Sequence, residues 1–333
     1  MNSENVVKHL RLFWRTDRII ADVTYRIPIV LAALAALAIP AATGDGYIIQ
    51  LLNIAMLNAI VVLGLNFATG WTGQINFGQA AFYGLGAYAT AIAAKSGLPW
   101  IVTPVLSVAL VLAASLVLGL PTLRLRTYYL AMTTIGFGEI VRLIIVYWEP
   151  VTGGTSGLRA IPGISVFGFR PQGQIEHYYL LLAALALAAL VAVRIRRSSL
   201  GRAMIATKDS EIAAEQSGID TTRTKLLAFM IGAVYAGLAG CLYASSIRFV
   251  SPDSFSGVQA VLLMTMLIVG GMGSIAGCII GALALTILPE ALRFLGQWYL
   301  VLYGLGVIVV IVLLPGGLAS IMAISPLRRL GAR

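Results

Sequence analysis

Charged side chains are scarce in this chain. Asp, Glu, Lys and Arg make up 11% of its 333 residues, whereas 59% of the residues are hydrophobic. Soluble domains carry about a quarter charged residues and about half apolar ones, so this composition excludes an ordinary soluble fold. The apolar residues also fall into runs close to the length, about 20 residues, that an α-helix needs to cross a bilayer. We therefore predict an all-α polytopic membrane protein.

Residues that carry catalysis or bind metals are equally few. The two histidines, His9 and His177, are isolated, and the two cysteines, Cys241 and Cys278, both lie inside apolar runs. A disulfide framework or a metal site needs such residues in clusters. The sequence thus predicts packing roles for both cysteines, no metal, and no catalytic site on this chain.

The sequence contains no Gly followed directly by Lys. That pair belongs to the Walker A loop, which binds the phosphates of ATP, so the chain is predicted to hold no nucleotide cofactor of its own. The formal net charge of +10 does not predict nucleic-acid binding. The basic residues lie instead in short gaps between apolar runs, as they do in membrane proteins.

Ten apolar segments are predicted to span the membrane as a helical bundle. They cover residues 27–43, 47–69, 76–94, 99–120, 128–148, 178–194, 225–245, 258–271, 273–290 and 298–316. The eighth segment is short and could be re-entrant. The third begins with Gln74, Asn76 and Gln79, so we expect its start to be partly non-helical, which a membrane tolerates only where protein or water satisfies the backbone.

The basic residues orient this bundle. If the N-terminus is inside, 17 of the 23 Lys and Arg residues lie in inner segments and five lie in outer ones. The positive-inside rule therefore predicts cytoplasmic N- and C-termini. The predicted parts are a basic N-terminal segment 1–26, a transmembrane domain 27–316 with an inner loop 195–224 and an outer loop 149–177, and a basic C-terminal tail 317–333.

Small residues recur at the spacing of helix contacts. One stripe consists of Gly232, Ala236 and Gly240, and a second consists of Gly273, Gly277 and Gly281. Small side chains at this spacing let helix backbones approach closely in lipid. Both stripes predict a tightly packed bundle, and neither is specific to one function.

The inner loop contains a predicted short helix from Glu211 to Ser217. Asp209 or Ser210 can cap its N-terminus, Glu211 suits the N-terminal end of the helix dipole, and Gly218 suits the position after its C-terminus. One interpretation is a solvated amphipathic loop. The other is a docking helix for a separate protein.

Eight stretches of the sequence favour the second interpretation. They read GWTGQINFGQAAF (70–82), GLGAY (84–88), TIGFGEIVR (134–142), TGGTSGL (152–158), SLGRA (199–203), EIAAEQSGI (211–219), KLLAF (225–229) and GGMGS (270–274). Together, and in this order, they resemble the branched-chain amino acid ABC permease family, specifically its LivM-like subunit. Ala213, Ala214 and Gly218 also have the spacing of the EAA–three residues–Gly loop of bacterial ABC importers, although Ile212 fills that motif's Glu position and Glu211 precedes it.

The resemblance implies the membrane subunit of an importer in the bacterial inner membrane, surrounded by lipid. It implies three kinds of partner: a homologous second permease subunit, two ATPase subunits that dock on the inner loop and bind the ATP, and a periplasmic binding protein. The outer loop is either the dock for this binding protein or a plain connector. The implied substrates are branched-chain or related small amino acids. Similar permeases serve urea and short amides, and an ion-coupled secondary transporter is the alternative of a different class.

Six polar residues are candidates for the translocation path. They are Gln74, Asn76, Gln79, Thr134, Glu139 and Arg142. The amides can bond an amino-acid zwitterion, and the two ionisable residues can pair at i,i+3 on one helix face. Ionisable residues inside a membrane are rare and usually face the protein interior or water. The alternative is structural, with amides that bond helix to helix and an ion pair that fixes packing.

Overall fold

The computed structural model describes residues 40, 45–122, 127–165, 171, 173–314 and 316–320. The chain divides into two compact units, Met1–Ile49 and Gln50–Arg333. The predicted segment 1–26, the predicted first span except Pro40, and residues 321–333 of the predicted tail lie outside the described residues.

Twelve α-helices occur in the described part of the chain. They are α1 Gly46–Leu65, α2 Gln79–Lys95, α3 Thr103–Thr122, α4 Thr127–Tyr147, α5 Glu149–Thr152, α6 Gln174–Arg197, α7 Ser199–Asp209, α8 Glu211–Gln216, α9 Thr221–Ile247, α10 Gly257–Gly270, α11 Ile275–Ala291 and α12 Tyr299–Leu313. The nine predicted spans from 47–69 onward each coincide with one of these helices. The all-α class is therefore confirmed.

Five helical segments have the length and apolar composition to cross a membrane. They are Gly46–Trp71, Trp100–Pro121, Tyr129–Tyr147, Gln174–Arg197 and Thr221–Ile247. Three shorter apolar helices follow, and the first of them, α10, has 14 residues. At 1.5 Å per residue α10 is about 21 Å long, shorter than the roughly 30 Å hydrocarbon core, so the predicted shortness of the eighth span is confirmed.

Helices α2 and α9 cross at glycines. A Cβ atom added to Gly86 of α2 would lie 2.3 Å from the carbonyl oxygen of Gly237 in α9, and one added to Gly240 would lie 2.2 Å from the carbonyl oxygen of Tyr83. Gly232 makes a similar approach to α1, where its Cβ would lie 2.7 Å from the Gly64 carbonyl oxygen. The first predicted stripe is thus a helix-packing surface, as expected for small residues in a membrane bundle.

The second stripe is only partly a helix surface. Cβ atoms added to Gly277 and Gly281 would lie 2.5 Å from the Gly270 carbonyl oxygen and 2.2 Å from that of Met266, so α10 and α11 pack closely. Gly273, however, precedes α11 and has φ +88°. The prediction for Gly273 was wrong because this residue forms the break between α10 and α11, where a left-handed backbone favours glycine.

The end of α1 departs from a regular α-helix. Residues Asn66–Trp71 form a π-helical turn with all six residues buried. The chain then runs without helix through residues 73–78 until α2 begins at Gln79. The predicted non-helical start of the third span is confirmed, whereas nothing in the sequence predicted the π-helical turn.

The predicted outer segments meet at one end of the bundle. Strand β1 (Leu158–Arg159) pairs antiparallel with strand β2 (Phe249–Val250). The outer loop also contains α5 and a 3₁₀ turn at Gly154–Ser156, so it includes one helical turn beyond the ordered turns expected. Because both strands lie in segments predicted to be outside, the fold agrees with the predicted order of inner and outer loops.

Candidate functional site

The inner loop folds into two short helices, α7 and α8. The hydroxyl oxygen of Ser210 accepts a hydrogen bond from the backbone N–H of Ala213 at 3.3 Å and so caps the N-terminus of α8. Of the two caps that the sequence allowed, the structure uses Ser210. This bond satisfies one of the backbone donors that the first turn of a helix leaves free.

The C-terminus of α8 is closed by Gly218. This residue has φ +80°, and its N–H donates to the carbonyl of Glu215 at 2.9 Å while the N–H of Ile219 donates to that of Ala214 at 3.0 Å. The two bonds form a Schellman motif, which needs a left-handed residue after the helix. The predicted C-terminal role of Gly218 is therefore confirmed, and α8 is a defined one-and-a-half-turn helix.

The two alanines of the predicted docking motif face in different directions. Ala214 is 3% exposed and packs inside the chain, whereas Ala213 is exposed. Ile212 is 72% exposed, and Gln216 is exposed beside it. We call Ile212, Ala213 and Gln216 the α8 surface, since residues three and four apart lie on one face of a helix.

Glu211 anchors α8 to the start of α9. Its carboxylate forms an ion pair with the ammonium group of Lys225 at 2.5 Å. The hydroxyl of Thr221 also donates to the carboxylate of Glu215 at 2.7 Å. Two acidic residues of α8 are thus bonded to α9, and these bonds fix α8 against the start of that long helix.

A cavity of about 270 Å³ lies between the inner loop and the segment after α1. Its lining residues are Thr72, Gly73, Gln74, Leu130, Thr207, Lys208, Asp209, Ser210, Glu211 and Lys225. Both a predicted docking residue, Glu211, and a predicted path residue, Gln74, line it. The ammonium group of Lys208 donates to the carbonyl of Gly70 at 2.8 Å beside it. The inner loop and the membrane helices therefore meet at this cavity.

Four of the predicted path residues are buried together. Gln74 and Asn76 are 3% and 1% exposed, and both amide atoms of Gln74 lack a hydrogen-bond partner. The amide of Gln79 donates to the carbonyl of Gly232 at 2.8 Å and to that of Val61 at 3.3 Å. Thr134 accepts the N–H of Phe77 at 3.1 Å.

These contacts distinguish Gln79 and Thr134, which bond parts of the bundle together, from Gln74. Gln79 bonds α2 to α1 and α9, and Thr134 fixes α4 to the non-helical segment 73–78. A solute could reach Gln79 only if those helices separated. Gln74 keeps its bonding capacity free, which is unusual for a buried polar group, and it lies at the cavity.

Glu139 and Arg142 lie on a different face of α4. Arg142 donates to the Glu139 carboxylate in an i,i+3 pair, and the two side chains are 30% and 48% exposed, respectively. Val141 and Ile145 of the same helix are 6% and 4% exposed. The pairing prediction is confirmed. Within the described residues, the pair lies on the outward face of α4, away from Val141 and Ile145.

Three residues that the sequence reasoning missed connect the inner loop and the end of α1 to Gly273. The side-chain oxygen of Asn66 accepts the N–H of Gly273 at 2.8 Å, and the indole N–H of Trp71 donates to the Gly273 carbonyl at 3.1 Å. Lys208 is the third. No local pattern connects residues about 200 positions apart. Within the described residues, no group of three or more His, Cys, Asp or Glu side chains could hold a metal ion.

Comparison with known proteins shows that the chain is similar to a family of transport permeases. The model of the branched-chain amino acid transport system permease component family matches residues 47–313. The high-affinity branched-chain amino acid transport system permease protein LivM of Escherichia coli K12 is 32% identical, covering 81% of this chain and 69% of the relative. LivM of Salmonella typhimurium LT2 is 33% identical with the same coverage. No solved structure matches the chain.

A more distant relative widens the comparison. The autoinducer 2 import system permease protein LsrC of Enterobacter sp. 638 is 28% identical, covering 79% of this chain and 76% of the relative. The family match extends from α1 to the end of α12 and so includes both the α8 surface and the buried polar residues. Permeases of this ABC transporter family act with ATPase and binding-protein partners. The chain belongs to the branched-chain amino acid transport system permease component family, and it is a multi-pass transport permease subunit of the bacterial inner membrane.

Proposed function

We propose that this chain is the permease subunit of an ATP-driven importer that carries branched-chain amino acids into the cytoplasm. The substrate class is supported by the two LivM relatives at 32% and 33% identity, against 28% for the autoinducer 2 permease. The chain itself binds no nucleotide and catalyses no reaction. It contributes the membrane path, and ATP is hydrolysed on other subunits.

The α8 surface is the observation that carries this proposal. A short helix closed by a cap at each end presents Ile212, 72% exposed, and the small side chain of Ala213 on one fixed surface, and such a surface is suited to contact another protein. Its anchoring to α9 through Glu211 and Lys225 gives the contact a mechanical connection. The proposed occupant is one ATPase subunit per permease subunit.

The remaining partners follow from the same proposal. A homologous second permease subunit completes the membrane path, and the second ATPase docks on it. A periplasmic binding protein delivers the amino acid to the end of the bundle where β1 pairs with β2. That ribbon fixes the outer loop to the segment before α10, so it offers a defined surface for the delivery step.

Ala213→Arg tests the docking surface. The substitution places a charge on an exposed position, so the permease should reach the membrane at its normal level. At a packed interface the same charge is unpaired, which costs several kcal/mol, and we expect the amount of copurified ATPase to fall by roughly tenfold or more, since about 1.4 kcal/mol changes an affinity tenfold. Uptake should fall in parallel.

Two further variants control this experiment. Ala213→Ser keeps a small side chain and should retain the ATPase. Ala214→Arg places the same charge at a position that is 3% exposed, so it should lower the level of the permease itself. Normal ATPase copurification and uptake with Ala213→Arg would refute the docking role of α8.

A further inference from the structure

A chain of hydrogen bonds connects the inner loop to the break between α10 and α11. It begins at Lys208 in α7, whose ammonium group donates to the carbonyl of Gly70 at 2.8 Å. It continues through the π-helical turn that contains Gly70. It ends at Gly273. The N–H of Gly273 donates to the side-chain oxygen of Asn66 at 2.8 Å, and the carbonyl of Gly273 accepts the indole N–H of Trp71 at 3.1 Å.

The bond from Lys208 to Gly70 joins α7 to the end of α1 at a position that is electrostatically favourable for a cation. Gly70 lies in the last turn of the helix that ends at Trp71, where backbone carbonyls lack helical partners and the helix dipole favours a cation. A hydrogen bond from an ammonium group is about twice as strong as one between neutral groups. The Lys208 bond therefore holds α7 firmly against the end of α1.

The middle of this hydrogen-bond connection, the π-helical turn, is too tightly packed to absorb movement. A Cβ atom added to Gly70 would lie 1.8 Å from the side-chain oxygen of Asn66 and 2.8 Å from the nitrogen of Gly273. Trp71 is 2% exposed and packs edge-on against Phe67 with ring centroids 4.7 Å apart. Close-packed interiors transmit displacement instead of dissipating it.

The far end of this hydrogen-bond connection is the break between α10 and α11, where the two helices can reorient. Gly271 and Gly273 have φ +115° and +88°, and glycine reaches such conformations with little steric cost. Helices α10 and α11 pack against each other on either side of this break. A displacement of Gly273 would therefore act at the junction of two membrane helices.

We infer that Lys208 is a positioning residue of the transport cycle, which couples movement of the inner loop to the α10–α11 break through Gly70, Asn66 and Trp71. This inference rests on the proposed function, because it takes the docked ATPase as the source of the movement. Closure of the ATPase pair displaces α7 and α8 together. Lys208 pulls the π-helical turn, and the turn moves the peptide of Gly273.

The test measures transport and ATP hydrolysis in the same preparation. The permease, its ATPases and the substrate-loaded binding protein are reconstituted in liposomes, and amino acid uptake is divided by ATP hydrolysed. For Lys208→Met we expect normal copurification of the ATPases and normal basal hydrolysis. Uptake per ATP should fall roughly tenfold, which corresponds to about 1.4 kcal/mol of lost coupling. Lys208→Arg retains a cationic donor and should restore most of this ratio.

Arg202→Met is the matched control. Arg202 is a cation of the same helix, and it donates to the carbonyl of Arg197 instead of to the π-helical turn. Its loss should leave uptake per ATP unchanged. If Arg202→Met lowers the ratio as much as Lys208→Met does, the charge of the loop matters and the bond to Gly70 does not.

Trp71→Phe tests the other end of the connection. It removes the indole N–H that reaches Gly273 and keeps an aromatic ring in place. We expect a reduced uptake per ATP, and the double variant with Lys208→Met should be no worse than Lys208→Met alone, because both act on one connection. If Lys208→Met fails to accumulate, Trp71→Phe alone still decides the question.

The outcomes separate this inference from the proposed function. A wild-type complex that lacks its ATPases refutes the proposed function. A wild-type complex that couples normally, together with a Lys208→Met or Trp71→Phe complex that has the same uptake per ATP, refutes the inference alone. Additive losses in the double variant would also contradict it.

Discussion

Gly86→Ala is expected to leave little folded protein in the membrane. The added Cβ would lie 2.3 Å from the carbonyl oxygen of Gly237 and 2.6 Å from its Cα. Both are backbone atoms, so α2 and α9 would have to move apart. Extra carbon atoms in a packed core typically cost about 1–3 kcal/mol, and occasionally more. The measurements are the protein level in membranes and the melting temperature of the purified permease.

Gly136→Ala provides the matched control for this result. Gly136 also lies within a membrane helix, α4, but apart from its chain neighbours and its own helix backbone no atom of the described residues lies within 4 Å of a Cβ added there. Alanine is also the better helix former by about 1 kcal/mol. The membrane level of the Gly136→Ala variant should equal or exceed that of the wild type. If Gly86→Ala is as abundant and as stable as Gly136→Ala, the crossing of α2 and α9 is wrongly placed.

Neutralising one member of the Glu139–Arg142 pair should do more damage than neutralising both. The pair lies on the outward face of α4, with Glu139 48% exposed, at a surface that meets lipid or the second permease subunit. Either neighbour is poor in water, so a single charge left without its partner is unfavourable. We expect Glu139→Gln and Arg142→Gln each to reduce membrane level strongly. The double variant should recover much of it.

Uptake by the double variant separates two roles. Recovered level with recovered uptake means that the pair is structural. Recovered level with lost uptake means that the charges line the path. Strictly additive losses of level would show that the two residues do not act as a pair, and the account of this face would be wrong.

Glu290 and Arg293 supply a pair of the same spacing for comparison. Their side chains are 3.3 Å apart, with Arg293 72% and Glu290 30% exposed. Arg293 follows the end of α11, in a segment predicted to be outside the membrane, and pairs in contact with water contribute about 0–1 kcal/mol. Glu290→Gln, Arg293→Gln and the double variant should therefore all accumulate near the wild-type level. A strong loss there would mean that any change of charge destabilises this protein.

Local features were predictable because local rules govern them. The short helix from Glu211, its serine cap and the glycine at its end depend on residues at most nine positions apart. The nine later spans were predictable because each is a continuous apolar run, and the bilayer imposes helical structure on such a run. Helix ends shifted where polar residues extend a helix beyond the apolar part, as in α6, which continues to Arg197.

Features that depend on distant partners were not predictable. Gln79 bonds to Gly232, 153 positions away, so its sequence neighbours could not distinguish a path residue from a packing residue. Ala213 and Ala214 differ in exposure because neighbouring helices, α7 and α9, pack against one side of α8. The π-helical turn lies within an apolar run, and its bonds to Gly273 cross about 200 residues. Lys208 was counted only as one more basic residue of the inner loop.

The proposed function requires that ATP hydrolysis on partner subunits drive inward transport through this chain. The most direct test is uptake of radiolabelled leucine by liposomes that contain the purified complex, with the loaded binding protein outside and ATP inside. The account predicts uptake that requires internal ATP, that stops with Ala213→Arg, and that persists when ionophores remove all ion gradients. Uptake without ATP that is abolished by an ionophore would contradict it and would identify an ion-coupled transporter instead.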